Sequence, residues 1–186
     1  MGCDGVFLFD YPRKCAYSEN LYKMRETIME IKGHKIALKT YTLERCHEFF
    51  QNYETDISMT YDNYIYDKQK VDCYYNERVL DSSRKYFAIC QNGRVIGEIK
   101  LKCIDLEKKC GTLSIALIND LVKGQGYGTE AEKLMIEYGA NELGLQNIYA
   151  DAVHRNHRSM HILRKLGFKH LYDDENLSYF ILEVKR

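Results

Sequence analysis

The stretch Leu113–Leu143 constrains this chain most: a strand runs through a glycine-spaced loop into a helix. Leu113–Ile118 is an apolar run with the length and β-branched content of a buried strand. Asn119-Asp120 interrupts it with turn chemistry. Gly124, Gly126 and Gly128 follow at alternate positions, and a helix is expected over Thr129–Leu143. Within it Ala131, Leu134, Met135, Tyr138 and Leu143 share one face. A glycine loop at a helix N-terminus exposes backbone N–H groups, and the helix dipole adds positive potential there. Such a loop is a seat for a diphosphate.

Three loops of this kind are separable by their grammar. A Walker loop ends in Gly-Lys-Ser/Thr, whereas Gly128 is followed by Thr129-Glu130, which leaves no lysine for a γ-phosphate. A dinucleotide fingerprint needs Gly-x-Gly-x-x-Gly and an acidic ribose ligand, but the spacing here is Gly-x-Gly-x-Gly. The next strand signal, Asn147–Val153, offers only Asp151. Lys123-Gly-Gln-Gly-Tyr-Gly128 instead resembles the Gln/Arg-x-x-Gly-x-Gly/Ala loop of the GNAT N-acetyltransferases, which holds the pyrophosphate of acetyl-CoA. Gly126 and Gly128 match that motif, and Lys123 replaces its first residue with another cation.

A second block supports the resemblance. Asn156 is placed to cap a helix whose third position is Ser159. Met160, Leu163 and Leu166 form its buried face and Gly167 stops it. By itself this is an ordinary capped helix. Asn156-x-x-Ser159 followed by Lys165-Leu-Gly-Phe168 also resembles the second GNAT block, whose asparagine bonds the pantetheine arm. The resemblance covers roughly residues 35–186 and is nearest to the ribosomal-protein and spermidine acetyltransferase-like branch. It implies an α/β GNAT fold: a mixed, mostly antiparallel central sheet flanked by helices, with acetyl-CoA in the cleft beside the strand–glycine loop–helix unit.

The rest of the chain is consistent with that architecture. Glu19–Ile31 has a helical period that Gly33 would end, so residues 1–33 read as an N-terminal extension to a single domain at 34–186. Lys35–Tyr41 alternates as a first strand. Thr42 caps a helix carrying Leu43, Cys46, Phe49 and Phe50. Tyr86–Cys90 and Arg94–Ile104 form a hairpin about Asn92-Gly93. Ile99, Leu101 and Cys103 face one way, Glu98, Lys100 and Lys102 the other. Leu177–Val184 is a closing strand. Tyr41–Asp81 is rich in tyrosine and holds nine acidic residues against four basic ones.

Composition excludes several classes. Lys+Arg and Asp+Glu both number 27, for a formal net charge of zero, which argues against a general nucleic-acid binder. No apolar run reaches the ~18–20 residues of a membrane helix. The N-terminal sequence matches neither a signal peptide nor the myristoylation pattern, since Val6 occupies the place of the required Ser or Thr. The seven cysteines include no Cys-x-x-Cys pair and no metal-ligand spacing, and are expected to be reduced thiols of a cytoplasmic protein. Cys90 and Cys103 are expected in the core.

The resemblance implies an enzyme that moves an acetyl group from acetyl-CoA to a primary amine of a cationic small molecule or a protein N-terminus. The backbone N–H groups of Leu117 and Ile118 match the family's contact to the acetyl carbonyl. Lys123, Gly124, Gln125, Gly126, Tyr127, Gly128 and Thr129 match its pyrophosphate loop, and Asn156 and Ser159 its pantetheine contacts. Arg155 and Arg158 are further candidates for the phosphates. The family's usual proton-donating tyrosine, seven residues after the asparagine, is here Leu163. Ser159, Tyr179 or a water is left as acid, and Glu98 as base, against the alternative that Glu98 belongs to a solvated strand face. A non-catalytic acyl-CoA-binding regulatory module is the other reading, and a homodimer is compatible with either. The acidic tyrosine-rich segment lies where the family builds one wall of the acceptor cleft, from which a cationic acceptor is expected.

Overall fold

The computed structural model describes residues 29–56 and 64–184. One sheet of eight strands organises them: β1 (Glu30–Lys32), β2 (Ala37–Thr40), β3 (Lys85–Gln91), β4 (Arg94–Asp105), β5 (Cys110–Leu117), β6 (Asn147–Val153), β7 (Lys169–Asp173) and β8 (Leu177–Glu183). Their spatial order is β1-β2-β3-β4-β5-β6-β8-β7. Every neighbouring pair is antiparallel except β5 and β6. The helices are α1 (Leu43–Asn52), α2 (Lys68–Tyr74), α3 (Tyr127–Asn141) and α4 (His157–Lys165), and a π-helical turn, Tyr75–Val79, extends α2. None of the described helices is long and apolar enough to cross a membrane.

Local signals account for most boundaries. The Thr42 side chain accepts the Arg45 N–H at the start of α1, Asp67 accepts that of Lys70 at α2, and Asn156 accepts that of Ser159 at α4. Asn92 and Gly93, at φ +50° and +83°, form the two-residue hairpin turn. The helix expected over Thr129–Leu143 spans Tyr127–Asn141, because the loop's last glycine already has helical geometry. The helix expected over Glu19–Ile31 is corrected where it is described: Ile31 pairs with Leu38 in a β1–β2 hairpin. Residues 19–28 lie outside the described residues.

Each face of the sheet has its own core. On one, Leu38, Ile99, Leu101, Ile148 and Phe180 pack with Ala131 and Met135 of α3 and Met160 and Leu163 of α4. On the other, Phe49 and Phe50 of α1 and Val71 and Tyr74 of α2 cover Tyr86, Ala88 and Val95. Because α1 and α2 cover that second face, the polar side of β4 is buried as well. Glu98 is 2% exposed and Lys100 8%. A solvated face for Glu98, Lys100 and Lys102 is therefore overturned for the first two.

The sheet is not continuous from edge to edge. β5 and β6 pair only from Cys110–Asn147 to Leu113–Ala150. Beyond that register Ser114–Leu117 and Asp151–Val153 diverge and leave a gap that opens at the glycine loop. At the other end of β4 the register shifts between Lys102 and Asp105, and Cys103 sits at φ +54°. That irregularity breaks the alternation, so Cys103 is only half-buried rather than core. Cys90 is buried as expected.

Candidate active site

A cavity of about 460 Å³ fills the gap between β5 and β6 and reaches both faces of the sheet. One end is bounded by the glycine loop, the middle by Ile115 and Leu117 of β5, and the far end by Tyr74, Tyr86 and Lys100. Asn156, Ser159 and Leu163 of α4 form a further wall.

The loop is built to leave backbone donors open. Gly126 is the N-cap of α3 at φ +86° and provides no capping side chain. The first helical bond runs from the Glu130 N–H to the Gly126 carbonyl. The N–H groups of Tyr127, Gly128 and Thr129 therefore lie outside the helical ladder. Positive φ at both Gly124 and Gly126 turns the chain around the helix end, a conformation unstrained only for glycine. Gln125 bonds the Leu121 carbonyl through its side chain and accepts the Lys35 ammonium at its own carbonyl, 3.0 Å away. The Tyr127 hydroxyl accepts from Gln91. Glu130 accepts the backbone N–H groups of His34 and Lys35, which anchors the start of α3 to the β1–β2 hairpin. A Cβ on Gly33 would run into that carboxylate. The loop thus fits a diphosphate by its uncapped amides and by the adjacent cations Lys35, Lys123 and Arg158. Lys123, however, is already paired with Asp56 and Asp120.

Strand parity decides what β5 offers the cavity. Ile118 donates its N–H to the Ile96 carbonyl at 3.0 Å, which makes Ile118–Ile96 a hydrogen-bonded pair. In an antiparallel ladder the next pair, Leu117–Gly97, is non-hydrogen-bonded, so the Leu117 N–H points away from β4. It points to the side that β6 has vacated. Of the two amides expected to meet an acetyl carbonyl, Leu117 faces the gap and Ile118 is committed to β4.

The other expected residues are placed as follows. Asn156 lines the cavity while its side chain caps α4. Ser159 also lines it, as does Leu163, which is 2% exposed. Arg158 lines the cavity, and Arg155 does not. Tyr179 does not line it either. Its hydroxyl donates to Asp174 at 2.7 Å, and that bond holds its proton to about 12.

Glu98 lies behind the wall rather than on it. Its carboxylate accepts the Tyr41 hydroxyl at 2.7 Å, the Tyr74 hydroxyl at 3.0 Å and the Lys100 ammonium at 2.8 Å. Lys100 also lies 5.2 Å from the centre of the Tyr86 ring. Burial opposes its charge, but Glu98 and Tyr86 outweigh burial and hold the ammonium above its ordinary range. Burial and the same carboxylate push the Tyr41 and Tyr74 phenols well up.

Among the described residues, the tyrosines of the tyrosine-rich segment act mainly as packing. Tyr41, Tyr53, Tyr74 and Tyr75 are buried. Of the segment's acids among the described residues, Asp56 alone lines the cavity. Arg78, Arg84, Lys100 and Lys102 line the far end. One cavity residue escaped sequence reasoning altogether: Glu132, 4% exposed, on the second turn of α3. The available signal was its spacing, four residues after Gly128 and three before Met135, which puts an acid on the buried stripe. Among the described residues no group of three or more His, Cys, Asp or Glu could hold a metal ion.

A sheet splayed beside an uncapped, glycine-lined helix start is the architecture of an acetyltransferase (GNAT) domain. Residues 25–169 match the family model described as an acetyltransferase (GNAT) domain, and the chain belongs to the GNAT acetyltransferase family. It is 31% identical over 94 residues to spermidine N(1)-acetyltransferase of Escherichia coli (strain K12), half of each chain. It is 26% identical over 152 residues to the human α/β-tubulin-N-acetyltransferase 9, 74% of this chain and 73% of that one. The chain therefore spans about half the length of the first of these relatives. Among solved structures it resembles the Campylobacter jejuni N-acetyltransferase PseH in complex with acetyl coenzyme A. That match has a TM-score of 0.56 and 21% identity, over 63% of this chain and 79% of that one.

Proposed function

We propose that this protein is a cytoplasmic enzyme that moves an acetyl group from acetyl-CoA to a primary amine. The observation that carries the reading is the Leu117 N–H, aimed into a sheet gap that begins at the uncapped amides of α3. Acetyl-CoA supplies the thioester whose carbonyl carbon receives the amine. The amides of Tyr127, Gly128 and Thr129 hold the diphosphate, and Asn156 and Ser159 flank the arm. The Leu117 N–H stabilises charge developing on the carbonyl oxygen. Orientation of the amine against the thioester supplies much of the rate. Of the expected proton donors, the Ser159 hydroxyl is the one that lines the cavity; Glu98 has its oxygens engaged, and Tyr179 stands outside the cavity. Incubation with acetyl-CoA and a panel of amines, read by thiol release and product mass, tests the assignment. Coenzyme A binding without thiol release from any amine would leave the non-catalytic binding module.

Two acceptor classes are separated by one salt titration. A cationic amine is supported by Asp56, the described acid of the segment Tyr41–Asp81 that lines the cavity, and by the name of the E. coli relative. An amine carrying its own anionic group is supported by the cations at the far end of the cavity, Arg78, Arg84, Lys100 and Lys102. The Debye length falls from ~10 Å at 0.1 M salt to ~3 Å at 1 M. The class attracted by the site loses kcat/KM over that range more steeply than a neutral amine, and the class repelled by it does not. Sedimentation of the purified chain distinguishes monomer from homodimer.

A further inference from the structure

The side chain of Glu132 has no evident structural role. It is 4% exposed, lines the cavity, and its Oε2 has no hydrogen-bond partner among the described residues. Unpaired buried polar atoms carry a desolvation penalty, so such groups persist where something else satisfies them. The strands packed on α3 present apolar side chains to it: Leu38 of β2, Ile99 and Leu101 of β4, and Ile115 of β5. On its own helix Glu130 is turned to the amides of His34 and Lys35, and Lys133 and Glu137 are exposed. The charged or titratable groups that share the cavity on the α4 side and by the loop are Asp56, Lys123, Asp151, Arg158, His161 and Lys165. None of them stabilises the Glu132 carboxylate. Burial alone raises its pKa from 4.5 to about 8.

We propose that Glu132 takes part in acyl-CoA binding as a neutral carboxylic acid, donating a hydrogen bond to the amide-bearing arm of the ligand. The assignment rests on the acetyl-CoA reading of the cavity. Its placement supports it twice. Glu132 lies four residues beyond Gly128, so about 6 Å along the helix from the diphosphate loop. At that distance an ionised carboxylate would repel the phosphates, whereas a neutral acid does not. A carboxylic acid is also a donor, and the arm of coenzyme A offers amide carbonyls as acceptors. Affinity should therefore fall when the acid ionises.

The test is calorimetric titration of coenzyme A into the wild type, Glu132→Gln and Glu132→Leu between pH 6.5 and 9.5, with circular dichroism as a check on folding. The ratio of wild-type to Glu132→Gln Kd removes the ligand's own titration. It should be flat below pH 7 and climb above pH 8 toward about tenfold per pH unit. Glu132→Leu, which is neutral but has no donor, should bind more weakly than Glu132→Gln at every pH. A flat ratio across the whole range would overturn the proposal, as would Glu132→Leu binding as tightly as Glu132→Gln. A wild type that binds coenzyme A at no pH would refute both this assignment and the acetyl-CoA reading beneath it.

Discussion

Glu98 and Lys100 project from the same side of β4 and meet at 2.8 Å, both almost wholly buried. Removing one partner strands the other charge, which costs about 3–5 kcal/mol. Glu98→Ala is therefore expected to lower unfolding stability by that amount, and Glu98→Ala with Lys100→Met by less than the sum of the single changes. Denaturant melts of the three variants check this. The sign with pH follows from the raised Lys100 pKa. Its contribution is fully present below the unfolded lysine value of ~10.4 and is lost as pH rises through the higher folded value. Unlike the wild type, Lys100→Met should show no loss of this contribution above pH 10.

Gly126 and Gly128 separate conformation from space. Gly126→Val places a branched side chain at φ +86°, which costs about 1–3 kcal/mol and fills the loop. It should abolish acetyl-CoA binding. A Cβ on Gly128 would lie 3.6 Å from Leu117 Cδ1 and 3.7 Å from Ile115 Cδ1, ordinary contacts. Gly128→Ala should bind acetyl-CoA as the wild type does. Calorimetry on both variants checks the pair, and acetyl-CoA binding in the absence of NAD or ATP binding checks the loop grammar.

Glu132 has a stability consequence separate from any ligand. Its folded pKa of about 8 stands above the unfolded 4.5, so the folded state holds the extra proton between those values. Stability is then lost as pH rises through that window, by up to about 1.4 kcal/mol per unit. Glu132→Gln should match the wild type below pH 4.5 and become progressively more stable than it toward pH 8. Melting curves of the ligand-free proteins across that range test the expectation.

Leu163 and Tyr179 divide the question of the proton donor. Leu163→Phe should lower stability by about 1–3 kcal/mol through overpacking but leave acetylation measurable, since leucine carries no proton to lose. Tyr179→Phe removes a hydroxyl bound to Asp174 outside the cavity and should leave the rate unchanged. Ser159→Ala should slow transfer by more than it weakens acetyl-CoA binding. Single-turnover rates with a saturating amine separate these outcomes, and a large fall for Tyr179→Phe would return the role to that residue.

The features legible in the sequence were those whose physics is local. The glycine loop, the Thr42 and Asn156 caps and the Asn92-Gly93 turn each depend on a few adjacent residues, and all four stand in the structure. Glu98 and Lys100 looked solvated because alternation along β4 says nothing about what covers each face. The aromatic rings of α1 and α2, distant in sequence, bury them. Cys103 looked buried because a register shift is invisible to strict alternation. Ile31 looked helical because it continues the helical period of Leu21, Met24 and Ile28, and its strand partner Leu38 is set by a pairing that periodicity does not show. Glu132 was hidden because a lone acid on an apolar stripe reads as a break in the pattern rather than as part of a cavity wall.

The pairing of Ile118 with Ile96 has a consequence for how this chain can vary. Which amide faces the gap depends on whether a position on β5 is odd or even relative to β4. Losing or gaining one residue between Thr112 and Leu117 would exchange the roles of Leu117 and Ile118 and turn the donor into the sheet. A change of two residues would restore it. Length variation in this part of β5 should therefore be tolerated only in steps of two.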